Sequence, residues 1–164
     1  MPEPALPAGP YIVHAGRFTR QKRHDVLLDA YASANLPHRL MLLTKPSADL
    51  DKLIVSKGLS GRVVIAGFQK NPFPWYANAA ALVLSSDFEG FPNVLVEALA
   101  CGTPVVSTSL PSGVPWVNQH GVSGLVVPEP ARSESEYRDR ILARIYADLA
   151  PLVALQLTHL VVEV

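Results

Sequence analysis

Short apolar runs alternate along this chain with stretches in which apolar residues recur every three or four positions. The first run, Tyr11–Ala15 (YIVHA), is β-branched at its centre and closed by Gly16. It predicts a strand covered on both faces. Lys22–Ala34 follows with Val26, Leu27, Ala30 and Tyr31 at helical spacing, and predicts a helix. The rhythm then repeats. Arg39–Thr44, Arg62–Ala66, Ala81–Ser85, Pro104–Ser107 and Leu125–Val127 read as further strands. Asp49–Lys57, Pro72–Asn78 and Asn93–Ala100 read as helices, and Gly113–Gln119 as a helical turn. Gly58 stands where a left-handed helix cap is expected. The prolines of Pro72–Asn78 fall in a first turn, where a missing N–H costs nothing.

Continuously apolar strands alternating with helices define an α/β class: a single Rossmann-like, doubly wound parallel sheet. Ligands of such sheets bind beyond the carboxyl ends of the strands, so the loops after the strands are the places to search. The domain is expected to span residues 11–150. Residues 1–10, with four prolines, read as a linker or boundary. Ser133–Leu149 carries Tyr137, Ile141, Ile145 and Leu149 on one helical face, and residues 151–164 form an apolar tail.

Composition narrows the function classes. With 49% hydrophobic and 17% charged residues, the 164-residue chain can bury a sizeable core. Its 14 basic and 14 acidic side chains give no electrostatic case for nucleic acid as a partner. One cysteine, Cys101, rules out an intrachain disulfide and offers no zinc pattern. No apolar run reaches the roughly 18 residues of a membrane helix, and the proline-rich start lacks a signal-peptide core. The reading is a cytoplasmic protein.

Two loops carry candidate chemistry. Gly16-Arg17-Phe18-Thr19-Arg20-Gln21-Lys22 follows the first strand. Gly16 is expected to turn the backbone, and Arg17 and Lys22 to converge on an anion at the mouth of the sheet, one as a planar fork and one as a point charge. The second loop, Glu89-Gly90-Phe91-Pro92, opens the Asn93–Ala100 helix. Gly90 permits close backbone approach, and the first N–H groups of the helix suit a phosphate. Glu89 and Glu97 supply acceptors for hydroxyl groups, and Glu97, in an otherwise apolar helix, needs a partner if buried. Asp49-Leu50-Asp51 is a D-x-D pattern, but acidic residues in a first helical turn are expected from the helix dipole.

The string EGFPNVLVEALACGTPVV around Glu89 and Glu97 resembles the E-x7-E motif of the retaining glycosyltransferases of family 4, in the C-terminal domain of the GT-B fold. HAGRFTRQK (His14–Lys22) resembles the phosphate-binding GR-x4-K loop of the same family (glycosyl transferases group 1), and the likeness runs in family order over residues 11–128. It implies catalytic contacts from Glu89, to hydroxyls of the donor sugar, and from Arg17 and Lys22, to the donor diphosphate. It implies donor binding by Gly16, Gly90, Phe91, Asn93, Val94 and Leu95, ribose binding by Glu97, and a nucleobase loop at Gly67, Phe68, Gln69 and Lys70. No metal or other cofactor is implied, the nucleotide-diphosphate sugar being a substrate. On this division of roles, Glu89→Ala weakens binding of the nucleotide sugar and leaves the free nucleotide nearly unchanged.

The family's fold has an N-terminal acceptor domain for which this chain has no room. The resemblance therefore implies a missing partner domain, in the same full-length chain or a separate subunit, and leaves open peripheral membrane association through it. The expected activity is sugar transfer with retention in polysaccharide or glycolipid synthesis of the cell envelope, the chain alone being inactive. The alternative is a non-catalytic nucleotide-sugar-binding module. Pro128-Glu129-Pro130 replaces the family's usual glycine–aspartate turn, and the tail has no counterpart in it.

Overall fold

The computed structural model describes residues 6–127. Six parallel strands, β1 (Tyr11–Ala15), β2 (Arg39–Leu43), β3 (Val63–Ile65), β4 (Ala81–Leu84), β5 (Val105–Thr108) and β6 (Gly124–Val127), form one sheet in the order β3-β2-β1-β4-β5-β6. Five helices connect them: α1 (His24–Ala34), α2 (Ala48–Ser56), α3 (Phe73–Ala77), α4 (Asn93–Ala100) and α5 (Val114–Val117). The doubly wound α/β sheet expected from the alternation is thus the fold observed.

The period-2 geometry of the strands divides the core into two layers. Ile12, Leu40, Leu42, Ala81 and Val83 face α1 and α2 and pack on Val26, Leu27, Leu28, Leu50 and Ile54. Their neighbours Tyr11, Val13, Met41, Leu82 and Leu84 face the other way, onto Trp75, Tyr76, Leu95, Ala98 and Val114. All five residues of β1 and all four of β4 and β5 are buried, which is why these strands are mostly apolar, with His14, Ser107 and Thr108 as their buried polar positions. The chain leaves β1 for one face of the sheet and β4 for the other. Because β1 and β4 are neighbours, a crevice opens between their carboxyl ends, at the switch point of the topology.

Most elements end within a residue or two of the sequence expectation. The start of the first helix is the exception. The predicted Lys22–Ala34 helix is broken at Arg23, whose φ of 47° lies in the left-handed region. Arg20–Lys22 is a separate 3-10 turn and α1 begins at His24. Arg23 is held there by Asp25, at 3.1 Å, and by Asp87 of the β4 loop, at 2.9 Å. The Asp25 carboxylate, partly opposed by burial and helped by Asp87, raises the guanidinium above its usual range. The second helix ends on Gly58 as expected: Gly58 N–H donates to Val55 and Leu59 N–H to Ile54. Residues 1–5 of the predicted linker, the Ser133–Leu149 helix and the 151–164 tail lie outside the described residues.

Candidate donor site at the switch point

The loops after β1 and β4 are stitched together across the crevice. Asp87 N–H donates to the Gln21 carbonyl at 2.9 Å. The Gln21 amide donates to the Phe88 carbonyl at 2.8 Å, and Ser85 Oγ to the Lys22 carbonyl at 2.8 Å. Arg23 adds its ion pair with Asp87. These bonds fix Lys22 and Glu89 face to face. Lys22 Nζ lies 2.6 Å from Glu89 Oε1, with the two side chains 17% and 10% exposed. Ser86, fully buried, donates from Oγ to the same Oε1 at 2.5 Å, and its own carbonyl accepts from Thr108 Oγ1 at 2.8 Å. The other carboxylate oxygen of Glu89 has no partner among the described residues.

Gly16 stands at a bend of the backbone, as expected, and it acts through space as well. Its φ is not positive. A Cβ at Gly16 would stand 3.2 Å from Lys22 Cδ, 3.3 Å from Lys22 Cε and 3.4 Å from His14 Nε2. The lysine stem therefore crosses directly over the glycine. Beneath it, the fully buried His14 donates from Nδ1 to the Val83 carbonyl at 2.9 Å, which leaves Nε2 deprotonated and without a partner among the described residues. His24 stands against it with ring centroids 4.6 Å apart, and Phe18 closes the other side at 5.2 Å. Burial holds His14 down at about 3, helped by His24 and Lys22, and burial holds His24 at about 4. Both rings are neutral at pH 7, so the local positive charge belongs to lysine and arginine.

A cleft of about 980 Å³ opens over this floor. Gly16, Arg17, Lys22, Glu89, Val94 and Glu97 line one part of it, and Phe68 and Gln69 line the far end with Thr44. Arg17 is exposed and makes no hydrogen bond or ion pair among the described residues. Phe68 is 69% exposed, while the Gln69 amide donates back to the Ala66 carbonyl at 2.6 Å. Gly67 ends β3 with a φ of 80°, and Thr44 Oγ1 is buried without a partner among the described residues. Glu97 acts on the Tyr76 hydroxyl, which burial and then this carboxylate push well above its usual range.

The remaining predicted residues stand at the α4 entrance but do not line the cleft. Leu95 is a core side chain, 0% exposed, and its N–H donates to Pro92. Asn93 is exposed and its N–H is turned back onto the Phe91 carbonyl. The N–H groups of Gly90, Phe91 and Val94 have no acceptor among the described residues, so they are the donors this entrance offers. Gly90 and Phe91 are held by the β5–α5 loop, where Gly113 N–H donates to the Gly90 carbonyl at 3.1 Å. Asp49 and Asp51 sit in the first turn of α2, which Ser47 caps through the Leu50 N–H; Asp49 pairs with Lys52 at 3.7 Å.

Ser86 and Tyr76 were not among the residues singled out from the sequence. The signal for Ser86 was the polar pair Ser85-Ser86 ending an apolar strand. Tyr76 gave none, since an aromatic residue at helical spacing reads as core.

An open parallel sheet with two cations, two carboxylates and free helix-entrance N–H groups at its switch point is a nucleotide-binding type of domain. Comparison with known proteins assigns it further. The model of the glycosyl transferases group 1 matches residues 9–145, and the chain belongs to that family. Its sheet is that of a GT-B glycosyltransferase domain. It is 35% identical over 142 residues to the lipopolysaccharide core biosynthesis glycosyltransferase LpsE of Rhizobium meliloti, covering 85% of this chain and 40% of that protein. It is 36% identical over 105 residues to the N-acetylgalactosamine-N,N'-diacetylbacillosaminyl-diphospho-undecaprenol 4-alpha-N-acetylgalactosaminyltransferase of Campylobacter jejuni, covering 63% and 29%. Among solved structures, the pneumococcal O-GlcNAc transferase GtfA, in complex with UDP and GlcNAc, superposes with a TM-score of 0.75 at 21% identity, over 89% of this chain and 29% of that one. The chain thus spans 29% to 40% of the length of these two relatives. Among the described residues no helix is long and apolar enough to cross a membrane.

Proposed function

We propose that this chain is the donor-binding part of a transferase that moves a sugar from a nucleoside-diphosphate sugar with retention at the anomeric carbon, in the synthesis of a cell-envelope polysaccharide or glycolipid. The observation that carries the reading is the meeting of Lys22 and Glu89 over Gly16 at the switch point, with Arg17, unpaired among the described residues, lining the same cleft. Family membership supports transferase chemistry, and the names of the relatives support the class of product.

On this reading Arg17 and Lys22 face the diphosphate, together with the N–H groups of Gly90, Phe91 and Val94. Charge that builds on the departing nucleoside diphosphate is met by these fixed donors, the electrostatic part of catalysis, without a divalent ion. Glu89 offers its open oxygen to sugar hydroxyls. Glu97 accepts from the ribose. Phe68 and the backbone of the Gly67–Lys70 loop meet the nucleobase. The acceptor and the remaining catalytic contacts come from an N-terminal domain, through which the protein meets its acceptor at a membrane surface on the cytoplasmic side.

Titration of the chain with UDP, GDP and ADP, and with their glucose conjugates, tests the reading. One nucleotide series is expected to bind at a single site, with an affinity that falls as salt rises. Failure of all three series to bind would overturn it.

A further inference from the structure

The Lys22–Glu89 pair sets two roles of the site against each other. A diphosphate needs the ammonium of Lys22, yet that ammonium is already neutralised by a carboxylate at 2.6 Å, both groups mostly shielded from water. The carboxylate does not drift. Ser86 holds the same oxygen at 2.5 Å from a fully buried position, and Ser86 is tied in turn to Thr108 at 2.8 Å. Gly16 holds the lysine stem from below, at 3.2 Å from its missing Cβ. A nucleoside diphosphate entering alone therefore brings its negative charge against Glu89 and must share Lys22 with it.

A nucleoside-diphosphate sugar changes that balance. Its sugar hydroxyls can donate to the open oxygen of Glu89, and the carboxylate then contributes attraction as well as repulsion.

Building on the donor-site reading above, we propose that Glu89 is an internal competitor that sets the preference of the site for the intact donor over the free nucleoside diphosphate, and so favours release of that product after transfer. Glu89 is then more than a sugar contact. Its removal strengthens binding of the free nucleotide, where a contact to sugar alone would leave it unchanged.

The test is calorimetric titration of the chain and its Glu89→Gln variant with UDP, GDP and ADP and with their glucose conjugates. Glu89→Gln is expected to tighten the free nucleoside diphosphate by about tenfold, the weight of one charge-assisted hydrogen bond. The advantage of the sugar conjugate over the free nucleotide is expected to shrink by at least as much. Glu89→Ala is expected to tighten the free nucleotide in the same way and supplies the measurement if the glutamine variant does not fold. Glu89→Asp, which keeps the charge but draws it back by one methylene from Lys22 and Ser86, is expected to tighten the free nucleotide less than Glu89→Gln does. An unchanged or weaker nucleotide affinity in the glutamine or alanine variant, with binding to wild type intact, would overturn the competitor role alone. Absence of nucleotide binding to wild type would overturn the donor-site reading and this one with it.

Discussion

At the residue scale, side-chain stems and hidden hydroxyls decide the chemistry of the mouth. Glu89, Glu97, Arg17 and Lys22 were singled out in the sequence through the resemblance of the strings around them to a family motif, since two spaced glutamates or two basic loop residues carry little by themselves. Their supports were not. The polar pair Ser85-Ser86 ending an apolar strand was the signal for Ser86, but a serine there also reads as a turn residue. Tyr76 looked like core, and is core at 1% exposure, yet its hydroxyl feels the Glu97 carboxylate. Gly16 was legible as a bend, but what demands a glycine there is space under Lys22 and not a positive φ. Gly16→Ala is expected to leave the chain folded, push the Lys22 stem aside and weaken nucleotide binding by ~3- to 10-fold, readable by titration beside a thermal melt.

The two buried histidines belong to the same scale. Their pKa values lie at about 3 and about 4 in the folded chain, against 6.5 for the free side chain. Below pH 6.5 the unfolded chain takes up protons that the folded chain refuses. Stability is therefore fully present above that pH and is lost as pH falls from 6.5 toward 4. Urea midpoints measured from pH 7 to 4 are expected to decline. His24→Phe, which removes two ring nitrogens that have no partner among the described residues, is expected to flatten the decline. A variant as steep as wild type would show that the loss comes from elsewhere.

At the element scale, periodicity predicted what each segment becomes better than where it begins. The Lys22–Ala34 stretch has an unbroken helical pattern, but the helix starts at His24 because Arg23 is turned left-handed by carboxylates on either side. An arginine does not advertise that conformation as an asparagine can, and one of the two carboxylates comes from a loop more than sixty residues away. The edge strand β6 shows the opposite case, where one position is fixed by close packing. A Cβ at Gly124 would lie 2.4 Å from the Val105 carbonyl oxygen and 2.6 Å from Asn118 Oδ1. Neither atom can yield freely, since Asn118 is buried and bonded to Ser107 and Leu125. Gly124→Ala is expected to cost about 1–3 kcal/mol or more, seen as a lower denaturant midpoint, and to loosen β6 from β5.

At the scale of the whole molecule, alternation and right-handed crossovers predicted a doubly wound sheet. They do not separate the order β3-β2-β1-β4-β5-β6 from other doubly wound orders, because strand order depends on which side the chain returns to. The motif string located the mouth, and the structure shows why the mouth is there: β1 and β4 are neighbours whose connections leave by opposite faces. The chain spans 29% to 40% of its two described relatives, and on the function proposed above donor binding and transfer are tested apart. The chain alone is expected to bind donor and to show no sugar transfer to a glycolipid acceptor. Addition of an N-terminal domain of the family is expected to restore transfer, and robust transfer by the chain alone would contradict the division of labour.

The central claim is that the floor formed by Gly16, Lys22 and Glu89 receives a nucleoside diphosphate, and one comparison tests it most directly. The affinity of the chain for the nucleoside diphosphate it binds is measured beside that of Lys22→Ala, at matched salt. Loss of one charge-assisted contact predicts a weakening of about 10- to 100-fold, or ~1.5–3 kcal/mol, with a shallower dependence on salt. Equal affinities and equal salt dependence for the two chains would contradict it.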